Sequence, residues 1–209
     1  MSMARLTRSE SQARTRAHLV ATARDLFLAD GYAATSLEKV ADEAGYSKGA
    51  VYSNFKNKKE LCLEVLGLIH ATKGQEIAEA LGGGDTMEER LEAFQAWAEK
   101  TLGDVGWTML EFELIVLSRH DPELRDALTA TLGVAREITV TLLKSFTDSL
   151  GVVLPVPAED AAGSILSLGV GLGIQRAIDP SISARVVTDN LRVLLAVSQE
   201  APTPGSVPG

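Results

Sequence analysis

Two short helix patterns follow one another in the first third of the chain, at residues 35–44 and 47–54. Apolar residues recur in the first pattern with spacings of three and four, and Gly45 stands where a helix needs a left-handed residue to end. Ser47 lies two residues further on and is a good N-cap for the next helix. Because a longer helix pattern precedes both, the sequence predicts a helix-turn-helix arrangement.

The longer helix is predicted to begin at about Gln12 and to end at Gly31. Its apolar residues recur at spacings of three and four: Leu19, Ala23, Leu26 and Phe27. Thr35 and Glu38 have the spacing of a capping box, in which hydroxyl and carboxylate each accept a backbone N–H. Thr35 is therefore predicted to be the N-cap of the second helix.

One face of the third helix carries small and hydrogen-bonding groups. At 100° per residue, four residues share one contiguous arc: Lys48, Gly49, Tyr52 and Ser53. Val51 and Phe55 point elsewhere and can pack against the first two helices. An outward face of this composition suits insertion into a groove.

Charge is distributed unevenly along the 209 residues, although the formal net charge is −8 and the pI is near 5.0. Residues 1–59 contain ten Lys or Arg against six Asp or Glu, and the remainder contains ten against twenty-two. An acidic chain of this kind is not a general nucleic-acid coat protein. Its basic N-terminal part can still meet a polyanion locally.

The expected compartment is the cytoplasm. Cys62 is the one cysteine, which forbids an internal disulfide, and no leader pattern opens the chain. The longest charge-free span, residues 161–175, has fifteen residues, fewer than the about 18–20 that a bilayer crossing needs. This span is predicted to belong to a soluble core.

The predicted fold class is all-α, with no strand pattern and no internal repeat. We predict a flexible basic arm at 1–11, a helix-turn-helix domain at 12–60, a larger helical domain at 61–200 and a flexible tail at 201–209. The fourth helix is predicted from near Asn57 to Leu81, where three glycines end it. Five further helices are predicted, at 86–102, 107–121, 122–150, 158–178 and 183–199.

The segment LVATARDLFLADGYAATSLEKVADEAGYSKGAVYSNFKNKKEL resembles the N-terminal DNA-binding domain of the TetR/AcrR family of bacterial transcriptional regulators. The resemblance extends from about Ala17 to Leu66. The matching residues fit the family pattern in order and spacing: Ala23, Phe27, Gly31, Tyr32, Thr35, Ser36, Val40, Ala41, Ala44, Gly45, Ser47, Gly49, Tyr52, Phe55, Lys58 and Leu61. Beyond this segment the likeness is one of architecture.

The resemblance implies that the third helix, from Ser47 to Asn54, enters the DNA major groove. Lys48 is the best candidate for base readout, because an ammonium can donate to guanine O6 or N7. Tyr52 and Lys58 would bind phosphates, as the matching positions of the family do. The remaining candidates offer hydroxyl, amide or backbone N–H donors or permit close approach: Thr35, Ser36, Ser47, Gly49, Ala50, Ser53 and Asn54. Taken singly, these residues could equally be helix caps or solvated surface groups.

The resemblance also implies a small-molecule effector and a homodimer. The large apolar residues available to line an effector pocket are Phe94, Trp97, Trp107, Met109, Phe112 and Phe146. Glu111, Glu113, His70 and His120 could orient a polar ligand. The last two helices are apolar around most of their circumference, and their predicted dimer-interface residues are Ile165, Leu168, Gly169, Leu172, Leu191 and Leu194. An ordinary buried C-terminal hairpin is the alternative.

The predicted function is that of a ligand-responsive DNA-binding regulator. The resemblance favours a repressor that a small molecule releases from a palindromic operator, and an activator or a member acting through protein partners are the alternatives. No catalytic residue, metal site or cofactor is expected, because phosphate-loop, metal-ligand and nucleophile motifs are all missing from the sequence. Cys62 is a candidate reactive thiol, and its place in a helix favours packing.

Overall fold

A computed structural model describes the backbone of residues 7–200 and the side chains of residues 7–196. These residues form nine α-helices and no strand, which confirms the all-α prediction. The helices are α1 Arg8–Ala34, α2 Leu37–Ala44, α3 Lys48–Asn54, α4 Lys58–Gly82, α5 Met87–Thr101, α6 Val105–Ser118, α7 Pro122–Leu150, α8 Ala158–Ile178 and α9 Arg185–Glu200. The tail predicted at 201–209 lies outside the described residues.

The helices group into two compact units. Among the described residues, the first unit comprises 7–70 and Val105–Thr131, and the second comprises Ala71–Asp104 and 132–200. The domain boundary predicted at residue 60 is therefore wrong for α6, which belongs with the helix-turn-helix. The physical reason is that Leu110 and Leu114 of α6 are fully buried in the core of the first unit.

The start of α1 differs from the prediction. The basic arm was predicted to reach residue 11, but a capping box at Thr7 and Glu10 starts the helix at Arg8. Glu10 N donates to Thr7 Oγ1 at 3.2 Å, and Thr7 N donates to the Glu10 carboxylate at 2.7 Å. The prediction of an arm is wrong for residues 7–11, and residues 1–6 lie outside the described part.

The junction between α1 and α2 is shifted by one residue from the prediction. Gly31, with φ 81° and ψ 171°, kinks α1 and does not end it, since helical turns continue to Ala34. The N-cap of α2 is Ser36, whose Oγ accepts from Lys39 N at 3.1 Å. The N-cap predicted at Thr35 is wrong, because that side chain is buried and its hydroxyl donates to Gly31 O at 2.9 Å.

The tight turn and α3 form as predicted. Gly45 has φ 71° and ψ 29°, and its N–H donates to the carbonyls that α2 leaves free at its C-terminus. Ser47 caps α3, its Oγ accepting from Ala50 N at 3.2 Å. The fourth helix also agrees with its prediction, starting one residue after Asn57 and running to Gly82.

The core of the first unit is built from α1, α2, α3, α6 and the first part of α4. Both short helices contribute to it, which explains how helices of eight and seven residues remain folded. Its fully buried side chains include Leu19, Ala23, Phe27, Val40, Ala41, Val51, Leu61, Val65, Leu110 and Leu114. Helix α3 is therefore anchored to this core through Val51.

The second unit has its own core, in which α5 packs on α9 and α8 packs on α9. A buried arginine joins these helices. Arg176 Nε donates to Leu102 O at 2.7 Å and its Nη2 donates to Glu99 O at 2.8 Å, while Nη1 contacts both Ile182 O and the Glu99 carboxylate. One guanidinium thus donates to carbonyls at the end of α5 and in the loop before α9, of which the Leu102 carbonyl is in a buried contact.

Helix α8 is long and apolar enough, by length and composition, to cross a bilayer. This is weak evidence for a membrane span, because core helices meet the same criterion. In its most apolar stretch, 28% of the residues are buried within the chain. Most of the remaining residues of α8 are half-buried, and its exposed large apolar side chains are Val170 and Ile178.

Candidate nucleic-acid interface

The outward face of α3 is exposed as predicted. Lys48, Gly49, Tyr52 and Ser53 are all solvent-accessible, and 52% of Tyr52 is exposed. The opposite side is anchored by Val51 and Phe55, which are 0% and 1% exposed. The helix therefore presents small, hydroxyl-bearing and cationic groups on one side only.

Arg16 of α1 fixes the end of α3. Its guanidinium carbon lies 4.2 Å from the centre of the Phe55 ring, and Nη1 donates to Asn54 O. The same side chain pairs with Glu64 of α4, with Nε 3.1 Å from Oε1. This arginine is therefore a structural clamp, and its charge is already partnered within the protein.

Tyr52 contacts Glu38, a residue whose carboxylate was predicted to belong to a capping box with Thr35 and was not predicted to reach α3. Its hydroxyl donates to Glu38 Oε1 at 2.8 Å, which joins the first turn of α2 to α3. This hydrogen bond, with a further contribution from the charge of Lys48, holds the pKa of Glu38 below its ordinary value. The same contact raises the pKa of Tyr52. An anionic group thus lies within the predicted DNA-reading face.

Lys58 points inward. Its Nζ donates to Tyr32 O at 2.8 Å and lies 4.2 Å from the centre of the Tyr32 ring, a cation–π contact. The phosphate contact predicted for Lys58 would require these contacts to break. The Lys58 side chain therefore connects the start of α4 to Tyr32 near the end of α1.

Two further predicted contacts are poorly placed for DNA. Thr35 is 1% exposed, and its hydroxyl donates to the carbonyl oxygen of Gly31. Asn54 Nδ2 donates to Ala50 O at 2.8 Å, and its Oδ1 is buried. Ser36 and Ser47 lie at the starts of α2 and α3, where hydroxyl and backbone donors coincide with the positive helix end. The DNA contacts predicted for Ser36 and Ser47 stay predictions that this geometry permits, whereas the Thr35 and Asn54 side chains are already used within the chain.

An open cleft of about 400 Å³ lies between the start of α1 and α3. It is lined by Thr7, Arg8, Ser11, Gln12, Thr15, Ala50, Ser53 and Asn54. The sequence analysis missed this feature, because it assigned residues up to 11 to a flexible arm. The capping-box spacing of Thr7 and Glu10 was the signal that could have revealed it.

Glu113 of α6 also has a role that the sequence did not reveal. Its Oε2 accepts from Tyr32 N at 2.7 Å and from Ala33 N at 3.1 Å, the two N–H groups freed by the kink at Gly31. Its predicted role in orienting a ligand is therefore replaced by a contact within the first unit. His70 and Glu111 likewise pair with each other at 2.7 Å, and His120 is exposed.

The residues predicted to line an effector pocket fall into both units. Phe94, Trp97 and Phe146 belong to the second core, where the Phe94 and Trp97 rings stack with centres 5.6 Å apart. Trp107 packs against the first core, and Met109 is 39% exposed. The effector pocket stays a prediction. No group of three or more His, Cys, Asp or Glu side chains suited to a metal ion occurs among the described side chains.

The predicted dimer-interface residues face the second core more than solvent. Leu172 and Leu191 are 4% and 5% exposed, and Ile165, Leu168 and Leu194 pack partly against the same core. Gly169 is half-buried. The choice of stripe is therefore wrong for Leu172 and Leu191, because the chain itself covers them. Among the side chains that the structure describes, the large apolar residues that α8 and α9 leave exposed are Val170, Ile178, Val186 and Val193.

The geometry of the first unit is that of a helix-turn-helix DNA-binding protein. Helix α2 is capped by Ser36 and ends at the left-handed Gly45, and α3 is capped by Ser47. Both helices pack on one core, and α3 keeps a polar face outward. Sequence comparison agrees in both parts of the chain. Residues 19–65 match the family of bacterial regulatory proteins called tetR, and residues 82–197 match the tetracyclin repressor-like C-terminal domain. The chain belongs to the TetR family of transcriptional regulators.

Individual relatives support this assignment. The HTH-type transcriptional regulator AcrR of Shigella flexneri is 40% identical over 73 residues, 35% of this chain and 34% of AcrR. The match thus spans about a third of that relative's length. Among solved structures, a TetR-family regulator from Pectobacterium atrosepticum is 25% identical, with TM-score 0.67 over 95% of this chain and all of the other. A transcriptional regulator from Rhodococcus sp. RHA1 gives TM-score 0.71 at 20% identity, over 88% of this chain and 98% of that one.

Proposed function

We propose that this protein is a cytoplasmic, homodimeric repressor that binds a palindromic operator and is released from it by a small molecule. The observation that carries the proposal is the outward face of α3, which is solvent-accessible on the side of Lys48 and Tyr52 and locked by Val51 on the other. A reading helix must be both exposed and rigid to mate with the major groove. This one meets both requirements.

Residues on the outward face of α3, and the serines that cap α2 and α3, suit separate parts of DNA binding. Lys48 donates to guanine O6 or N7, and Gly49 and Ala50 let the backbone approach the base edges. Ser36, Ser47 and Ser53 contribute hydroxyl donors to the phosphates that flank the groove. The affinity comes mainly from phosphate neutralisation, so it falls steeply with salt.

A homodimer places two reading helices on one operator. The support within one chain is the apolar surface left on α8 and α9, where Val193 is 63% exposed and Val186 is 40% exposed. These two residues are seven positions apart and therefore share one face of α9. A two-fold interface covers such a stripe with the same stripe of a second copy. The two reading heads then address half-sites about 34–36 Å apart.

The small-molecule effector is the least constrained part of the proposal. Its support is the match of residues 82–197 to a tetracyclin repressor-like domain, together with aromatic side chains such as Phe94 and Trp97 in that region. Activation is the second candidate, since the same reading helix serves an activator. The location of the bound site relative to its promoter separates the two.

The experiment that tests the proposal is selection of bound fragments from genomic DNA by the purified full chain. The selected fragments are then titrated in a mobility-shift assay at several salt concentrations. Enrichment of a palindrome with strongly salt-dependent affinity is the expected result. A chain that enriches no sequence, and binds selected and random DNA alike, contradicts the proposal. Effectors are then sought by thermal shift, because a ligand that binds the native state raises Tm by mass action.

A further inference from the structure

An exposed carboxylate lies inside the surface that we propose meets DNA. Glu38, in the first turn of α2, accepts the hydroxyl proton of Tyr52 at 2.8 Å, and Tyr52 lies on the outward face of α3. The contact fixes the carboxylate beside the reading helix, although Glu38 belongs to the neighbouring helix. An anion at this position opposes the general attraction to phosphates, so its presence calls for a specific partner.

Lys48 provides the local charge balance. Its positive charge, at the start of α3, contributes less than the Tyr52 hydrogen bond to the lowered pKa of Glu38. The surface around α3 therefore contains both an acceptor, Glu38, and a donor, Lys48. A lysine donates to guanine O6 or N7, whereas a carboxylate can only accept.

The chemistry of the major groove restricts what the carboxylate can accept from. Cytosine offers N4–H₂ and adenine offers N6–H₂, but adenine also carries N7, an acceptor that repels a carboxylate. Guanine and thymine present acceptors only in the major groove, apart from the thymine methyl group. Cytosine is therefore the base that suits an anionic acceptor best.

We propose that Glu38, oriented by Tyr52, is a specificity-determining residue that selects cytosine at one position of each operator half-site. This inference rests on the proposed function and adds a second base-reading group to Lys48. Tyr52 acts here as a positioning residue. The Tyr52 hydroxyl donates its hydrogen bond to Glu38, so it cannot donate to a phosphate while that contact persists.

The test is selection from a random-sequence DNA library, with wild type and three variants compared position by position. Wild type is expected to prefer cytosine at one half-site position by about fivefold to tenfold, the discrimination typical of one good base contact. Glu38→Gln, which can both donate and accept, is expected to reduce that preference below about twofold and to leave the other positions unchanged. Tyr52→Phe is expected to weaken the same preference, with little effect elsewhere.

The matched control is Glu43→Gln. Glu43 is exposed on the same helix, five residues further on and therefore about 140° around its axis from Glu38. The Glu43→Gln substitution removes the same charge as Glu38→Gln but leaves the contact with Tyr52 intact, so it measures the non-specific electrostatic effect alone. Circular dichroism and Tm verify that each variant is folded.

The possible outcomes separate the inference from the proposed function. Retained cytosine preference in Glu38→Gln, or an equal gain of affinity for all sequences in Glu38→Gln and Glu43→Gln, overturns the role of Glu38. A uniform loss of affinity in Tyr52→Phe overturns the positioning role and makes the hydroxyl a phosphate donor. If wild type selects no sequence at all, the proposed function fails and the inference falls with it.

Discussion

The carboxylate of Glu113 accepts the backbone N–H of Tyr32 at 2.7 Å and so closes the gap that the kink at Gly31 leaves in α1. The two residues are 81 positions apart in sequence. This contact ties α6 to the end of the first helix, directly before the helix-turn-helix begins. The conformation of Gly31 is therefore stabilised by Glu113, which binds the N–H groups of the two residues that follow the kink.

Gly31→Ala is expected to destabilise the protein by about 1–3 kcal/mol. The backbone at φ 81° and ψ 171° lies in a region that only glycine occupies readily, and an added Cβ would lie 2.7 Å from Glu113 Oε1. Urea unfolding measures the change. The control is Gly67→Ala, an exposed glycine inside α4 whose Cβ would meet nothing within 4 Å. That variant is expected to gain about 0.5–1 kcal/mol, and equal effects at the two sites would contradict the interpretation.

Arg176→Met is expected to cost about 3 kcal/mol or more of unfolding free energy. The Arg176 side chain is 8% exposed, and its removal takes the donor from the buried Leu102 carbonyl and breaks the ion pair with Glu99. Arg176→Lys is expected to rescue little, because one ammonium cannot reproduce the planar fork. Arg185→Met is the control, since its side chain is 66% exposed and its pair with Asp189 contributes about 0.5 kcal/mol at most. A loss at Arg176 no larger than at Arg185 would show that the network is dispensable.

Cys62 is expected to be unreactive in the folded protein. Burial raises the pKa of its thiol from 9.0 to about 12, so the thiolate fraction at pH 8 falls about a thousandfold. A chromogenic disulfide reagent should react only as fast as the chain unfolds, and at once in denaturant. Rapid reaction of native protein would contradict this prediction and revive the reactive-thiol alternative.

Val193→Glu is expected to convert a dimer to monomers at micromolar concentration. Val193 is 63% exposed, and a carboxylate there would be buried without a partner on assembly. Analytical ultracentrifugation provides the measurement. Val153→Glu is the matched control, because Val153 is 81% exposed and precedes α8 in a loop of the same unit. Wild type that sediments as a monomer would refute the proposed interface.

Local sequence rules predicted the turn and the reading helix correctly. Gly45, Ser47 and Val51 depend on neighbours within a few residues, and the spacing of those neighbours is visible in the sequence. The inward direction of Lys58 depends on Tyr32, 26 residues away, and could not be read from the spacing. The membership of α6 in the first unit was hidden for the same reason.

The sequence did not reveal which apolar side of α8 and α9 is buried within one copy of the chain. Periodicity indicated that both helices are apolar on more than one side, but it could not tell which side the chain itself covers. Leu191 lies in the core and Val193 is exposed, although they are two positions apart. That assignment depends on how α5 packs against α9, a contact between residues far apart in sequence.

The central claim is that α3 reads duplex DNA, and fluorescence-anisotropy titration of a selected operator with three proteins tests it most directly. Lys48→Ala is expected to weaken binding about tenfold and to relax one base preference, whereas Lys100→Ala, the loss of an exposed lysine from α5, is expected to bind as wild type does. Equal affinity and equal base preference for all three proteins would contradict the account.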